Sequence, residues 1–187
     1  MKTFESFSLA SLLFLSTYSG PAYASFKQNV DSLKQPDASV SYIDFKTRIY
    51  GKSLCDNEHL LQTAYLFSTV NHVNPFLTIS MIETESKCQQ YVTSRVGARG
   101  YMQIMPIAEK EYLRLGGPRL HANSFDMRYN ISMGTFLING LITKYDDVHG
   151  ALVAYNGGSG LYNKLKATGR PVESGYSREI VNRALLF

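Results

Sequence analysis

The chain has 187 residues and a mass of 21.0 kDa, which is enough for one domain and short for two. Hydrophobic residues make up 44% and charged residues 18%, so a packed core can form and a disordered chain is excluded. The net charge of +4 is only mildly basic, and without a basic run or an RNA-binding aromatic motif it predicts no nucleic-acid partner.

The N-terminus has the pattern of a secretory signal peptide. Lys2 precedes an apolar stretch at 7–18, which is shorter than the ~20 residues of a membrane-spanning helix. The small-residue sequence Ala22-Tyr23-Ala24 then matches a cleavage site. We therefore expect residues 1–24 to be removed and the mature protein to be periplasmic or secreted, without stable membrane insertion. The alternatives are an uncleaved anchor or a buried N-terminal helix.

Two cysteines fit such an exported protein. Cys55 and Cys88 can form one disulfide in an oxidising compartment. Closing that loop would stabilise the fold by roughly 3–4 kcal/mol in the chain-entropy model. The alternative is a pair of buried free thiols. The histidines are scattered and lack metal-ligand spacing, so neither a metal site nor another cofactor is predicted.

Mature residues fall into a polar lead-in and a helical domain. Residues 25–56 are expected to form an arm or irregular segment of unknown role, followed by a catalytic domain at 57–187. Helical spacing runs from Asp56 to Val70, and Asn74-Pro75 predicts the start of a second helix that ends near Ser86. A short irregular or β-rich segment is predicted at 91–106. Further helices are predicted at 107–115, 131–144, 148–155 and 176–185, with glycine clusters at 116–118 and 157–160 breaking them.

Glu85 is the most unusual carboxyl group in this pattern. It follows Met81 by four positions and Ile82 by three, so it shares a helix face with two large apolar side chains. Desolvation on such a face raises the pKa of a glutamic acid above its usual value of about 4.3, which suits a proton donor. Glu83 lies about 200° further around the helix and should point elsewhere. Judged by periodicity alone, a glutamate at a helix end is more often a solvated or capping residue than a proton donor.

Four sequence blocks occur in a characteristic order. They are Glu85-Ser86, SRVGARGYMQIMP at 94–106, DMRYNISMG at 126–134 and ALVAYNGGSG at 151–160. Together they resemble the soluble lytic transglycosylases of bacterial cell walls, over about residues 57–183. That resemblance implies a mainly α, lysozyme-like (goose-type) helical domain with at most a small β element. The chain departs from the family pattern at Tyr101 for Leu, Met127 for Pro, Gly157 for Ala and Ser159 for Pro.

The resemblance implies a lyase with a single acid/base. Glu85 would protonate the oxygen of the MurNAc–GlcNAc β-1,4 bond in peptidoglycan. The N-acetyl carbonyl of the substrate would steady the oxocarbenium-like centre. Glu85 would then take a proton from the MurNAc C6 hydroxyl, which closes a 1,6-anhydro ring without water. No second carboxylate has an obvious helical register with Glu85.

Further residues are implied in glycan binding by their places in the family blocks. For Gln103 the alternative is ordinary loop structure, for Tyr155 and Asn156 it is capping before glycines, and for Ser86 it is capping. In the looser C-terminal block, Glu173-Ser174-Gly175-Tyr176 brings the Tyr one position closer to the Glu than the family does. The implied substrate-binding set is Ser86, Met102, Gln103, Tyr155, Asn156 and Glu173.

Two rival functions share these motifs. A goose-type-lysozyme-like hydrolase would use water and leave a reducing end, and it would need a second carboxylate. A non-catalytic murein-binding scaffold would bind glycan strands without cleaving them. Small proteins of this family often open murein for a secretion system, a pilus or a conjugation apparatus, so such machinery is a candidate partner besides the peptidoglycan strands.

Overall fold

The computed structural model describes residues 21–121 and 123–187, so most of the predicted signal peptide lies outside the described residues. Throughout these ranges the dominant element is the α-helix. No helix in the described ranges has the length and apolar character that crossing a bilayer requires. The helices are α1 Pro21–Asp31, α2 Tyr42–Ile49, α3 Glu58–Val70, α4 Pro75–Ser86, α5 Pro106–Arg114, α6 Met127–Tyr145, α7 Val148–Lys166 and α8 Gly175–Leu186.

The expectation of an irregular lead-in at 25–56 is wrong. This region contains the end of α1, a short 3-10 helix at Ser32–Lys34 and the whole of α2. A capping box starts α2, because the Ser41 side chain and the Asp44 side chain each accept from the other's backbone N–H. Phe45 and Ile49, four positions apart, are buried in the main core. Two apolar residues in a short polar segment are too weak a pattern to predict this helix.

The two predicted helices around Asn74 are confirmed. The Asn57 side chain accepts from the Leu60 N–H at the start of α3, over 3.0 Å. Asn74 caps α4 by accepting from the Phe76 N–H over 2.9 Å, with Pro75 in the first helical position. This helix ends at Ser86, and the following Lys87 caps it in a left-handed conformation with φ of 51°.

A predicted break at 157–160 is only a kink. Gly158 alone leaves the helical region, with φ of 75° and ψ of 171°, and α7 continues to Lys166. Tyr162 lies beyond the kink and stacks on Tyr145 of α6 with ring centroids 3.8 Å apart. The two tyrosines are 17 positions apart in the sequence, so helical periodicity does not reveal their contact. The glycines, by contrast, are a strong local signal for a helix end, and the sequence therefore predicted a break where the packing of Tyr162 keeps the helix going.

The centre of the molecule is α4. Its side chains are buried on every side, including Leu77, Ile79, Met81 and Ile82. Helices α3 and α8 pack against it, α6 packs against α3 and α7, and α7 packs against α8. Most of its polar residues are buried as well, so α4 lies inside the fold along nearly its whole length. The carboxyl groups at its C-terminal end are therefore held in a rigid frame.

The predicted pairing of the cysteines is confirmed in the structure. Cys55 and Cys88 form a disulfide with their Cα atoms 5.4 Å apart. Cys88 follows the end of α4, whereas Cys55 belongs to the loop between α2 and α3. The bond therefore joins the lead-in to the end of the central helix.

Candidate active site

Glu85 lies in the last turn of α4 and is half-buried. Burial raises the pKa of its carboxyl group, and a hydrogen bond from Tyr176 partly opposes that rise. The Tyr176 hydroxyl donates to Oε1 of Glu85 over 2.5 Å. A carboxyl group in these surroundings holds its proton to higher pH than an exposed glutamic acid does.

Tyr176 is the site residue that sequence reasoning missed. It lies in the first turn of α8, within a capping box formed by Ser174 and Ser177. Burial and the neighbouring Glu85 charge raise the pKa of Tyr176 well above its usual value, so the phenol stays protonated as a donor. The looser family block at 173–176 contains this tyrosine, but the sequence analysis predicted Glu173 as the binding residue of that block.

Tyr155 approaches the same carboxyl group from α7. Its pKa is raised well above the usual value by burial and then by the charge of Glu85. Its hydroxyl donates to the Met102 carbonyl oxygen over 2.8 Å, not to Glu85. Tyr155 therefore ties α7 to the loop before α5 while facing the candidate acid.

The loop at 91–105 is fixed from α6. Two isolated antiparallel bridges, Thr93 with Arg99 and Arg99 with Ile104, agree with the predicted small β element. The Asn130 side chain accepts from the Met102 N–H over 2.8 Å and donates to the Arg99 carbonyl over 2.9 Å. Such a loop has a backbone that α6 holds in place, although it carries little regular structure.

Gly100 lets this loop approach Asn130 closely. It has φ of 75°, and a Cβ atom there would lie 2.5 Å from the Asn130 amide nitrogen. Met102 is fully buried, and its Sδ lies 2.2 Å from the place where a Cβ on Gly134 would be. Met102 therefore packs closely against Gly134 of α6, and its predicted role in glycan binding stays a prediction.

Gln103 is half-buried in a left-handed backbone conformation with φ of 48°. Its Nε2 donates to the Gly100 carbonyl over 2.9 Å and to the Val92 carbonyl over 3.3 Å. These contacts fix the amide group at the surface of the loop. Its predicted role in glycan binding stays a prediction.

The other predicted binding residues are not gathered around Glu85 by any described side-chain contact. Ser86 is buried, and its hydroxyl donates to the Ile82 carbonyl over 3.0 Å within α4. Asn156 is exposed just before the kink in α7. Glu173 forms an ion pair with Arg178, with 3.6 Å between the charged atoms. Their roles toward the glycan stay predictions.

Glu83 points away from the candidate acid, as helical geometry predicts. Its side chain has no exposed surface, and Arg183 Nη1 donates to Oε2 over 2.6 Å. The Leu54 N–H donates to Oε1 over 2.8 Å, and the Ser53 hydroxyl donates to the same oxygen. We call Ser53, Leu54, Glu83 and Arg183 the Glu83 cluster. Both oxygens of Glu83 are thus occupied by protein donors.

Comparison with known proteins agrees with the family resemblance. A family model described as the transglycosylase SLT domain matches residues 67–181, more than half of the chain. A curated protein of Enterobacteria phage PRD1, described as a transglycosylase, is 37% identical over 92 residues. That match covers 49% of this chain and 32% of the phage protein, so the chain spans about a third of that relative.

Solved structures confirm the mainly α, lysozyme-like fold. The soluble lytic transglycosylase SLT70 from Escherichia coli has a TM-score of 0.55 at 19% identity, covering 88% of this chain and 27% of that one. An inactive mutant of lytic transglycosylase Slt from Pseudomonas aeruginosa has a TM-score of 0.54 at 18% identity, covering 78% of this chain and 24% of that one. The present chain therefore spans about a quarter of each of these proteins.

Proposed function

Because this chain belongs to the transglycosylase SLT domain family, we propose that it is a peptidoglycan lytic transglycosylase with Glu85 as its single acid/base. The reaction would cleave the MurNAc–GlcNAc β-1,4 bond and leave 1,6-anhydroMurNAc. The observation that carries this proposal is the half-buried Glu85 carboxyl group, whose pKa is raised and whose one described hydrogen-bond donor is a neutral tyrosine.

In the first step Glu85 acts as the acid. Its proton passes to the glycosidic oxygen as the bond from that oxygen to C1 of MurNAc breaks. A general acid placed in this way contributes about 10²- to 10⁴-fold to the rate. The raised pKa of Glu85 keeps a larger protonated fraction near neutral pH than an exposed glutamic acid would have.

In the second step Glu85 acts as the base. The N-acetyl carbonyl of the substrate steadies the positive charge at C1, and the Glu85 carboxylate takes the proton of the MurNAc C6 hydroxyl. The C6 oxygen then bonds to C1, which closes the anhydro ring and restores protonated Glu85. Tyr176 donates to the Glu85 carboxylate and so stabilises it between the two steps.

The surroundings of Glu83 favour this reaction over hydrolysis. Glycosidases that use two carboxylates hold them about 5 Å or 6.5–9.5 Å apart, with the second acting on C1 or on water. Glu83 is the nearest carboxylate in sequence, and Arg183, Leu54 and Ser53 occupy its oxygens. A hydrolase would need its second carboxylate from another element.

The same proposal covers location and partners. Peptidoglycan lies outside the cytoplasm, which agrees with the predicted signal peptide and with a protein containing the Cys55–Cys88 disulfide. Glycan strands of the cell wall are the proposed substrate and binding partner. Service to a secretion, pilus or conjugation apparatus stays a prediction from the family resemblance.

The proposal is tested by incubating the mature protein with murein sacculi and identifying the released fragments by mass spectrometry. Fragments that end in 1,6-anhydroMurNAc are expected. The Glu85→Gln protein should stay folded, bind sacculi and release almost nothing. Reducing ends from the unaltered protein would instead identify a lysozyme-like hydrolase. Binding without any release would identify a murein-binding scaffold.

A further inference from the structure

The Glu83 cluster joins three separate parts of the chain beside the candidate acid. Glu83 lies in α4, two residues before Glu85, and Arg183 lies in α8, which also carries Tyr176. Tyr176 and Arg183 are seven positions apart, which places them on one face of α8 about two turns apart. Helices α4 and α8 are therefore joined by two polar contacts, one made by each glutamate.

Ser53 and Leu54 attach the loop after α2 to this junction. They donate to Glu83, and the Cys55 N–H donates to the Ser53 hydroxyl oxygen over 2.9 Å. The disulfide from Cys55 then reaches Cys88. Two attachments of this loop thus flank Glu85 in the sequence of α4, at Glu83 and just beyond its end at Cys88.

Apolar packing places α8 against the core through its buried residues Ile180, Val181 and Ala184. The Glu83–Arg183 ion pair adds a directional constraint, because Glu83 has no exposed surface and displacement would leave its charge without a partner. Such an ion pair can therefore fix the position of α8 relative to α4.

We propose that the Glu83–Arg183 ion pair holds α8 in the register at which the Tyr176 hydroxyl reaches Glu85. Glu83 and Arg183 are then positioning residues for the proposed reaction, acting through Tyr176 without touching the glycan. This inference rests on the proposed function for its catalytic consequence. Its structural consequence, the contact between Tyr176 and Glu85, can be measured independently of activity.

The titration of Glu85 reports that contact. Tyr176 faces Glu85 from α8 and Tyr155 faces it from α7, while Glu179 is a further charge near Tyr176. Burial raises the pKa of Glu85 and the Tyr176 hydrogen bond lowers it. Displacement of Tyr176 that leaves Glu85 buried therefore raises the pKa of Glu85 further.

The experiment compares four proteins with the unaltered chain. Tyr176→Phe removes the donor directly. A double variant, Glu83→Leu with Arg183→Met, removes both charges and leaves no buried charge unpaired. The triple variant adds Tyr176→Phe to that double variant. Arg114→Met is the control, because Arg114 pairs with Glu111 on the surface of α5. The Glu85 titration is followed by the NMR shift of its carboxyl carbon, and kcat and KM are measured on soluble glycan strands.

We expect the Tyr176→Phe protein and the double variant to raise the pKa of Glu85 in the same direction. Both should lower kcat by about 10- to 100-fold, with KM within about twofold of the unaltered protein. The triple variant should lose no more activity than the double variant. Arg114→Met should change none of these quantities.

Two results would overturn the inference: an unchanged Glu85 titration in the double variant, or losses that multiply in the triple variant. If the double variant does not fold, Glu83→Gln replaces it, since the amide keeps the shape of the carboxylate and removes the charge that pairs with Arg183. An unchanged Glu85 titration in Glu83→Gln then overturns the inference. Failure of the unaltered protein to form anhydro ends sinks the proposed function alone, because the titration still decides the positioning role.

Discussion

Glu83 and Glu85 lie two residues apart in one helix, and their side chains differ in exposure and in hydrogen-bond partners. Glu83 has no exposed surface and is held by a guanidinium, a backbone N–H and a hydroxyl. Glu85 is half-buried and has one described hydrogen-bond donor, the Tyr176 phenol. Glu85 thus combines partial access with a raised pKa.

The comparison teaches that burial alone does not make a proton donor. A buried carboxylate with a cation and two further donors is committed to structure. Burial without a cation disfavours the charged form, so a group such as Glu85 keeps its proton to higher pH than an exposed glutamic acid does. The neighbouring glutamates thus divide two tasks between them, one fixing helices and the other proposed for chemistry.

Replacing Glu85 should have the largest effect on activity. Glu85→Gln should lower the rate of fragment release from sacculi by about 10²- to 10⁴-fold, because the amide can neither donate nor accept the transferred proton. Its circular dichroism and thermal midpoint should stay close to those of the unaltered protein. A Glu85→Gln protein that keeps more than about a tenth of the rate would refute the assignment.

Loss of the disulfide should lower stability without removing the chemistry. Replacing Cys55 and Cys88 by serine should reduce the free energy of unfolding by about 3–4 kcal/mol, since the unfolded chain is no longer closed into a loop of 33 positions. Urea titrations with and without reductant measure this effect. Reductant should destabilise the unaltered protein only, and an equal response of the serine variant would show that another process is involved.

Breaking the Glu83 cluster at one partner should cost stability on a similar scale. Arg183→Met leaves the Glu83 carboxylate buried without its cation, and we expect the free energy of unfolding to fall by about 3 kcal/mol. The remaining donors, Ser53 and Leu54, should keep the loss at the lower end of the usual range. Urea unfolding measures it, with the surface variant Arg114→Met expected to match the unaltered protein. An Arg183→Met midpoint equal to that control would contradict the account of the cluster.

A smaller effect should appear in the pH dependence of stability. The folded-state pKa of Glu85 is raised, so the native state holds this proton more tightly than the unfolded chain. Its stabilising contribution is complete below the usual glutamic acid pKa of about 4.3 and is lost as the pH rises through the folded value. Relative to the unaltered protein, Glu85→Gln should therefore become more stable across that rise. Parallel stability curves for the two proteins would show that Glu85 titrates normally.

The parts of the fold with strong local signals were predictable from sequence. Asn74 and Pro75 mark the start of α4, and the spacing of Met81, Ile82 and Glu85 places the carboxyl group on an apolar face. The same spacing correctly turned Glu83 away from Glu85. Family motifs then predicted that Glu85 and the loop at 94–106 belong to one site, and this stays a prediction.

Contacts between distant parts of the chain were not predictable in this way. Tyr176 lies 91 positions from Glu85, and Arg183 lies 100 positions from Glu83. Helical periodicity predicts which face of a helix a side chain lies on, but it does not predict which residue of another helix that side chain contacts. The sequence analysis missed α2 for the same reason. Phe45 and Ile49 stabilise this helix through contacts with distant parts of the core, which a local pattern does not reveal.

The most direct test of the central claim is to digest sacculi in water enriched in heavy oxygen and to weigh the released glycan ends. If Glu85 acts alone as acid and base and the C6 hydroxyl attacks C1, the MurNAc ends should be anhydro sugars without heavy oxygen. Reducing MurNAc ends that carry one heavy oxygen atom would show that water attacks C1. That result would contradict the single-carboxylate account and require a second group to activate the water.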